Sequence, residues 1–332
     1  MSDKIYDCII VGAGPAGLAA ALYTSRDRMS TLMLEKFYPG GQIATTDRIE
    51  NYPGYESISG PDLTEKMIAQ VNSFGAEIKM SSEVKSIEQL DDGTLKVDCG
   101  KQQYLGKTII LSPGSSHRKL GAPGEEEFRS SGTGVSYCGT CDAAFYKDRK
   151  VVSVGGGNTA IEDALHLAKY ASEVVVVHRR QEFRATPILV EELMAKVNAP
   201  DSNMRLVLDS VVTNIKGEGK VQFATIKNIK TEEEFDEPTD GVFIFIGMTP
   251  NTDFLKGFVD LNDEGFIKCE PAFLRTKVPG VFVAGDCRSG ANMQLITAVG
   301  DGVNCAMMIK HYLRDKNWWN EKAADTLMPG EW

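Results

Sequence analysis

The stretch Ile5–Gly17, IYDCIIVGAGPAG, decides the fold. Its first seven residues are apolar enough to form a strand that is buried on both faces, and an alanine-rich helix follows the last glycine. Gly12 permits a tight turn, Gly14 lets the backbone approach a pyrophosphate, and Gly17 lets the helix pack closely on the sheet. The helix N-terminus adds amide donors and positive potential. This pattern predicts a strand, turn and helix that bind a dinucleotide.

The next predicted strand, Thr31–Leu34, ends in an acid. Glu35 follows Gly17 by about 18 residues, which is the spacing at which a dinucleotide site carries a carboxylate. A carboxylate there accepts hydrogen bonds from ribose hydroxyls. The acid and its spacing therefore support the first turn as a binding site.

A second copy of the pattern begins at Val151. The run Val151–Ala160, VVSVGGGNTA, gives a strand and a glycine turn, followed by a predicted helix and by the strand Val174–Val177. Basic side chains, including Arg179 and Arg180, follow this strand. Their guanidinium groups form charge-assisted bonds to a 2′-phosphate, which a carboxylate at this place would repel. The alternative is a solvated basic loop in an acidic protein. The candidate NADP(H) residues are Gly155, Gly157, Asn158, Thr159, His178, Arg179, Arg180 and Arg184.

The two turns differ in charge, and this difference predicts two different dinucleotides. If the second turn binds NADP(H), the first binds the cofactor that passes the electrons on. FAD fits that place because it accepts hydride and exchanges electrons with a thiol.

Two cysteines, Cys138 and Cys141, precede the second turn as Cys-Gly-Thr-Cys-Asp. A disulfide across Cys-x-x-Cys opens and closes with two electrons, and a helix that starts beside it stabilises the thiolate. Asp142 can trade a proton with a departing sulfur, and the small Gly139 and Thr140 leave room for a partner disulfide. Half a zinc site and two packing cysteines are the alternatives. Zinc needs two more ligands, and the chain has no second Cys-x-x-Cys and no His-x-x-x-His, so no metal site is predicted.

The order of strands and crossings predicts an α/β fold with two Rossmann-like three-layer nucleotide-binding domains, the second inserted into the first. Residues 1–117 and 248–332 would form the discontinuous FAD-binding domain. Residues 118–247 would form the NADPH-binding domain that carries the Cys-x-x-Cys. Two antiparallel meanders are also predicted, one around residues 76–99 and one from Asn203 to Glu237. Residues 317–332 form a tail that contains all three tryptophans.

Composition limits the class of protein. The 332 residues are 42% hydrophobic and 25% charged with a formal net charge of −10, which disfavours nonspecific binding to nucleic acid or anionic lipid. No apolar run is long enough for a membrane span. Met1–Lys4 leads directly into the first strand and leaves no room for a signal peptide, so we expect a cytoplasmic protein. The number of cysteines, seven, is odd and does not indicate a disulfide framework.

Several motifs occur together in the order found in one family. They are Gly12–Gly17, Gly40–Gln42, Glu50–Gly54, Cys138–Asp142, Gly155–Ala160, His178–Arg180 with Phe183 and Arg184, Gly247–Pro250, Ala284–Asp286, Gln294, and Ile296–Ala298. Over about residues 3–316 the chain resembles the low-molecular-weight bacterial thioredoxin reductases. The resemblance implies a homodimeric FAD enzyme that reduces the disulfide of thioredoxin, or of a thioredoxin-like protein, with NADPH.

The resemblance also implies roles for single residues. Cys141 would face the flavin, Cys138 would attack the disulfide of the protein substrate, and Asp142 would be the general acid. The domain with the dithiol would rotate, so that nicotinamide and dithiol take turns at the flavin. The residues implied for FAD are Gly12, Gly14, Pro15, Ala16, Gly17, Glu35, Gly41, Gln42, Asn51, Gly114, Asp286, Gln294, Leu295 and Ile296.

The chain departs from the family pattern at three places. Ser112-Pro113-Gly114 replaces Ala-Thr-Gly and is expected to alter the hinge entry, while Met293 replaces an arginine before the flavin-contacting Gln294. The tryptophan tail is the third departure, and it predicts either ordinary packing or a tryptophan stacked on the flavin. Two alternatives to the leading function therefore stay open. One is an FAD-dithiol reductase with another donor such as ferredoxin, its flavin covered by the tail; the other is a nucleotide-binding thiol redox sensor.

Overall fold

The computed structural model describes residues 4–46 and 48–320. Within these ranges the chain divides into two compact units. The first unit comprises the described parts of Met1–Ser116 and Thr249–Trp332, and the second comprises His117–Met248. The chain thus enters the second unit once and leaves it once.

Strands alternate with helices at the start of each dinucleotide-binding pattern, and runs of consecutive strands, β3–β7 and β11–β15, follow. The strands are β1 Ile5–Val11, β2 Thr31–Leu34, β3 Glu77–Lys79, β4 Ser86–Gln89, β5 Leu95–Asp98, β6 Gln103–Leu111, β7 Ser115–His117, β8 Val135–Ser136, β9 Lys150–Gly155, β10 Glu173–Val177, β11 Met204–Val207, β12 Ser210–Lys216, β13 Phe223–Asn228, β14 Glu234–Pro238, β15 Gly241–Phe245, β16 Met248–Pro250 and β17 Val281–Val283.

The helices follow the glycine turns, as the sequence predicts, or cover the sheets. They are α1 Pro15–Arg26, α2 Gly60–Ser73, α3 Glu125–Ser130, α4 Gly139–Asp142, α5 Asn158–Leu167, α6 Pro187–Val197 and α7 Leu295–Arg314, with 3₁₀ turns at Gly41–Thr45, Ala143–Tyr146, Asp253–Leu255 and Lys316–Asn320. No helix in the described ranges is long and apolar enough to cross a membrane.

The first unit is built on one sheet with the order β3-β2-β1-β6-β5-β4, and β17 pairs with β6. The pairs of β1, β2, β3, β6 and β17 are parallel, whereas β4 and β5 form the predicted antiparallel hairpin. Helix α1 packs directly on α7, since a side chain at Gly302 would lie 2.0 Å from the carbonyl oxygen of Ala16. This contact brings together the elements that carry the first glycine turn and the predicted flavin residues.

The second unit has a five-stranded parallel sheet with the order β11-β10-β9-β15-β8. Apolar residues of α5 and α6 cover one face, and residues of the antiparallel sheet β12-β13-β14 cover the other. The prediction that Asn203–Leu208 begins the second meander is wrong. This segment forms β11, which pairs in parallel with the buried strand β10 and completes the edge of the main sheet. The prediction of an α/β fold with two Rossmann-like domains is confirmed.

The tail begins with a tightly packed 3₁₀ turn. Trp318 is 4% exposed and packs against Phe273 and Phe282, and the guanidinium of Arg275 donates to the carbonyl oxygen of Trp318. A side chain buried in this way is not available to stack on a flavin, so ordinary packing is the correct interpretation for Trp318. Trp332 lies outside the described residues.

Candidate functional site

The first glycine turn is enclosed on the side of the sheet. Gly12 has φ +99°, and a Cβ there would lie 2.3 Å from the carbonyl oxygen of Ser112. A Cβ at Gly17 would lie 2.0 Å from the carbonyl oxygen of Gly12, so both positions require glycine. The Ser112 hydroxyl, which is buried, donates to the carbonyls of Val11 and Gly12. Ser112 therefore supports the dinucleotide turn, and the effect of Ser112-Pro113-Gly114 on the hinge entry stays a prediction.

Glu35 ties this turn to the following loop. Its Oε2 accepts from the Ala13 amide at 2.8 Å, and its Oε1 accepts from the Phe37 amide at 2.9 Å. A carboxylate oxygen can accept a second hydrogen bond, so the group keeps capacity for ribose hydroxyls. Gly41 faces Gly14, and the Gln42 side-chain Nε2 donates to the Ser115 carbonyl at 2.8 Å. The turn and the Gly41 loop thus form the two sides of one cradle.

The start of α7 lies at the other end of this site. Gln294 caps the helix, and Asn51 Nδ2 donates to Gln294 Oε1 at 3.4 Å. Leu295 is half-buried, and Ile296 is exposed beside it. The family resemblance implies that Asn51 and Gln294 lie close to the flavin, and the structure brings these two side chains together within the first unit.

Asp286 follows β17 and Gly285. Burial raises the pKa of its carboxyl to about 6, and the nearby Asp301 adds to the shift. No described residue donates a hydrogen bond to this carboxylate, whereas Asp301 is engaged by Arg288 at 2.6 Å. A half-buried carboxylate without a donor fits a polyhydroxy chain that would supply one.

These features meet the needs of FAD. The glycines that exclude side chains and the helix N-terminus suit a pyrophosphate. The acid after the second strand suits a ribose, and the carboxylate without a donor suits a ribityl chain. Pro15 and Ala16 begin α1 beside the turn, and Gly114 has φ +67° with open space around its Cα.

The second turn is similar in backbone and different in its surroundings. A Cβ at Gly155 would lie 2.5 Å from the Phe245 carbonyl oxygen, while no atom of the described residues lies within 4 Å of a Cβ at Gly157. Asn158 begins α5, and its Oδ1 accepts from the Thr186 amide at 2.8 Å. Thr159 is exposed at the same helix N-terminus. The open face at Gly157 leaves room for a pyrophosphate.

The four bases after β10 occupy two environments. Arg179, Arg180 and Arg184 are exposed, and the Arg184 amide donates to the Gly156 carbonyl at 2.8 Å. His178 is 6% exposed, and a Cβ at Gly156 would lie 2.2 Å from its ring. Burial lowers the pKa of His178, so its ring is neutral and packs against the backbone of Gly156 in the turn. The three arginines remain as the cations that can meet a phosphate.

Cys138 and Cys141 form a disulfide in the second unit. Cys138 caps α4, and its Sγ accepts from the Cys141 amide at 3.1 Å. The same amide would stabilise a thiolate at Cys138 after reduction. The Ser136 hydroxyl donates to Asp142 Oδ2 at 2.5 Å, and burial raises the pKa of Asp142. A carboxyl that holds its proton more firmly is suited to act as an acid.

The residue before the disulfide is anchored by a buried carboxylate. Tyr137 donates to Glu125 Oε1 at 2.6 Å, and the Glu125 carboxylate also accepts from the amides of Leu120 and Gly121. Glu125 is 2% exposed, and the His117 ring stacks on Tyr137. The segment that enters the second unit is thereby fixed to the dithiol loop. No motif in the sequence indicated this cluster.

Gly139 has a different role from the predicted one. It is buried, and a Cβ there would lie 2.8 Å from the Cβ of Asp163 on α5. Its small size accommodates Asp163 rather than a partner disulfide, whereas Thr140 is exposed as an approaching partner requires. Among residues 4–46 and 48–320, no group of three His, Cys, Asp or Glu side chains could hold a metal ion.

Two dinucleotide cradles and a disulfide beside a half-buried acid define a nucleotide-dependent disulfide oxidoreductase. Residues 6–302 match the profile of the pyridine nucleotide-disulphide oxidoreductase family. The thioredoxin reductase of Listeria monocytogenes is 43% identical over 94% of this chain and 95% of the relative, and that of Bacillus subtilis is 42% identical over 94% and 96%. The crystal structure of thioredoxin reductase from Streptococcus pyogenes superposes with a TM-score of 0.87 at 41% identity, covering 94% of this chain and 99% of that one.

The chain belongs to the pyridine nucleotide-disulphide oxidoreductase family, among its low-molecular-weight thioredoxin reductases. It is therefore an enzyme whose cofactors are FAD and NADPH.

Proposed function

We propose that this enzyme reduces the disulfide of thioredoxin, or of a similar small protein, with electrons that pass from NADPH through FAD to Cys138 and Cys141. The observation that carries the proposal is the disulfide beside the half-buried acid Asp142, whose pKa is raised, within the same unit as the basic dinucleotide turn. The relatives that share 94% coverage bear the name thioredoxin reductase.

The first unit would hold FAD and the second NADPH. FAD supplies the exchange between two-electron hydride transfer and thiol chemistry. Glu35 would orient the adenosine ribose, Asp286 would accept from the ribityl hydroxyls, and Gln294 would hold the ring edge. Since the dithiol and the NADPH turn belong to one unit, they would take turns at the flavin, with the crossings near residues 117 and 247 as hinges.

The two cysteines would have different tasks. Cys141 would receive electrons from the flavin side, and Cys138 would attack the disulfide of the protein substrate. Asp142 would donate a proton to the departing sulfur, a role that its raised pKa supports. We also propose that the enzyme is a cytoplasmic homodimer, as the resemblance implies.

A single substitution tests the assignment of Cys138. Cys138→Ser should lower the rate of thioredoxin disulfide reduction at least about a thousandfold while NADPH still bleaches the flavin, because only the attacking sulfur is lost. Cys269→Ser, at a half-buried cysteine outside the disulfide, is the matched control and should leave both rates unchanged. Loss of flavin bleaching in Cys138→Ser, or substantial thioredoxin reduction by it, would contradict the separate roles of the two cysteines.

A further inference from the structure

Helix α5 carries two functional elements. Its N-terminus, at Asn158, belongs to the NADPH turn, and Asp163 lies about 7.5 Å further along the axis at the usual rise of about 1.5 Å per residue. Asp163 contacts the turn between the two cysteines: Thr140 Oγ1 donates to its Oδ1 at 3.4 Å, and its side chain packs against the Gly139 backbone. One helix therefore contacts both the nucleotide turn and the dithiol turn.

The side chain of Asp163 lies close to the backbone of α4 at Gly139. The Cβ, Cγ and Oδ1 atoms of Asp163 all lie within 2.9 Å of the position that a Cβ at Gly139 would take. Glycine at 139 thus lets the carboxylate settle against the backbone between the two cysteines. Burial raises the pKa of Asp163, while its Thr140 and Gly139 bonds act in the opposite direction.

We propose that Asp163 is a positioning residue for the reducing dithiol: it fastens the Cys138–Cys141 turn to the NADPH helix and places a negative charge there that disfavours the thiolate form. This inference deepens the proposed function and rests on it. Reduction breaks the S–S bond with two electrons from NADPH through the flavin, and the two sulfurs take up two protons. One proton comes with the hydride and one from solvent. A nearby carboxylate favours retention of both protons.

Other charged groups surround the dithiol. Asp142 lies on α4 itself, and Arg129 of α3 partly offsets its charge. Glu162 and His166 act on Asp163 from α5. The pKa of Tyr146, which follows α4, is shifted by the charges of Asp142, Arg149 and Asp240. Asp163 differs from these groups because it touches the backbone between the cysteines, so removal of its charge should have a local effect.

The test compares Asp163→Asn with Glu162→Gln, an exposed carboxylate one residue away. The FAD-loaded enzymes are reduced with a phosphine and alkylated with iodoacetamide from about pH 5.5 to 9.5, and the Cys138 peptide is quantified by mass spectrometry. Asp163→Asn should lower the apparent thiol pKa of Cys138 by about 0.5–1 unit, the effect of one charge at this range in a partly screened site. Glu162→Gln should leave that pKa unchanged.

A superposable profile for Asp163→Asn and the wild type would overturn the proposal, and so would an equal shift in Glu162→Gln. If Asp163→Asn does not retain flavin, Asp163→Ser, which is smaller and equally uncharged, is titrated with the same expectation. The measurement does not involve thioredoxin. Failure of this inference is therefore distinct from failure of the proposed function, which the turnover of Cys138→Ser decides.

Discussion

The two glycine turns of this enzyme share a backbone plan and differ in what surrounds it. In the first turn the acid Glu35 spans from Ala13 to Phe37, and Ser112 closes the turn from below. In the second turn His178 takes the supporting place under Gly156, and exposed arginines stand where the first has an acid. We propose that glycine geometry provides the pyrophosphate cradle in both turns, while the charge after the following strand selects the dinucleotide.

The largest expected effect is the loss of FAD binding when the first glycine turn is disrupted. Gly17→Ala places a Cβ 2.0 Å from the Gly12 carbonyl oxygen, so the helix must move away from the sheet and the cradle is lost. We expect the purified variant to bind at least about tenfold less FAD per chain, measured by absorbance after gel filtration.

Gly157→Ala in the second turn is the matched control for that variant. No atom lies within 4 Å of its added Cβ in the described protein, so the fold and bound FAD should be unaffected. Full FAD content in Gly17→Ala would contradict the enclosed geometry of the first turn.

An intermediate effect on nucleotide preference is expected when the positive charge that distinguishes the second turn from the first is removed. Replacement of both Arg179 and Arg180 by Ala should raise KM for NADPH at least about tenfold and change KM for NADH little, since only NADPH carries the 2′-phosphate. Steady-state kinetics with both nucleotides measure this. Replacement of exposed Lys169 by Ala, near the far end of α5, is the control. Equal changes for the two nucleotides would exclude the phosphate-binding role.

The smallest effect is a pH dependence of the second turn. Burial lowers the pKa of His178, so the folded protein binds this proton less tightly than the unfolded chain does. Stability should therefore fall as pH decreases through about 6.5, the ordinary histidine pKa. The thermal midpoint of the wild type should drop about 2 °C more than that of His178→Gln between about pH 7.5 and 5.5. His311→Gln, at an exposed histidine, should match the wild type, and identical drops in wild type and His178→Gln would refute the prediction.

Local patterns in the sequence carry much of this structure. Both strand-turn-helix units could be predicted because their glycine spacing follows from the backbone approach that a pyrophosphate needs. The pairing of Asn203–Leu208 could not be predicted, since a short apolar run fits a meander or a parallel edge strand equally well. It joins the parallel sheet because β10 has an edge left to pair, which the local sequence does not show. Likewise, Cys138 and Asp142 stand in a recognisable motif, but the contact of Asp163 with the Cys138–Cys141 turn arises from packing between separate helices. The contacts of Glu125 are local, yet they follow no motif that the sequence displays.

His178 and Ser112 illustrate a related limit. The sequence shows a basic residue after a strand and a change from the family pattern, and both suggest direct roles at a ligand or hinge. In the fold each side chain is buried beneath a glycine turn. Residue type predicts the chemistry available at these positions, and burial determines how it is used.

We propose that NADPH bound at the second turn delivers electrons to FAD bound at the first. Anaerobic titration of the purified FAD-loaded protein, followed at the visible absorbance of the flavin, tests it most directly. NADPH should bleach the flavin at near-stoichiometric amounts, and NADH should require at least about tenfold more. A flavin that stays oxidised with excess NADPH, or that responds equally to NADH, would contradict the claim.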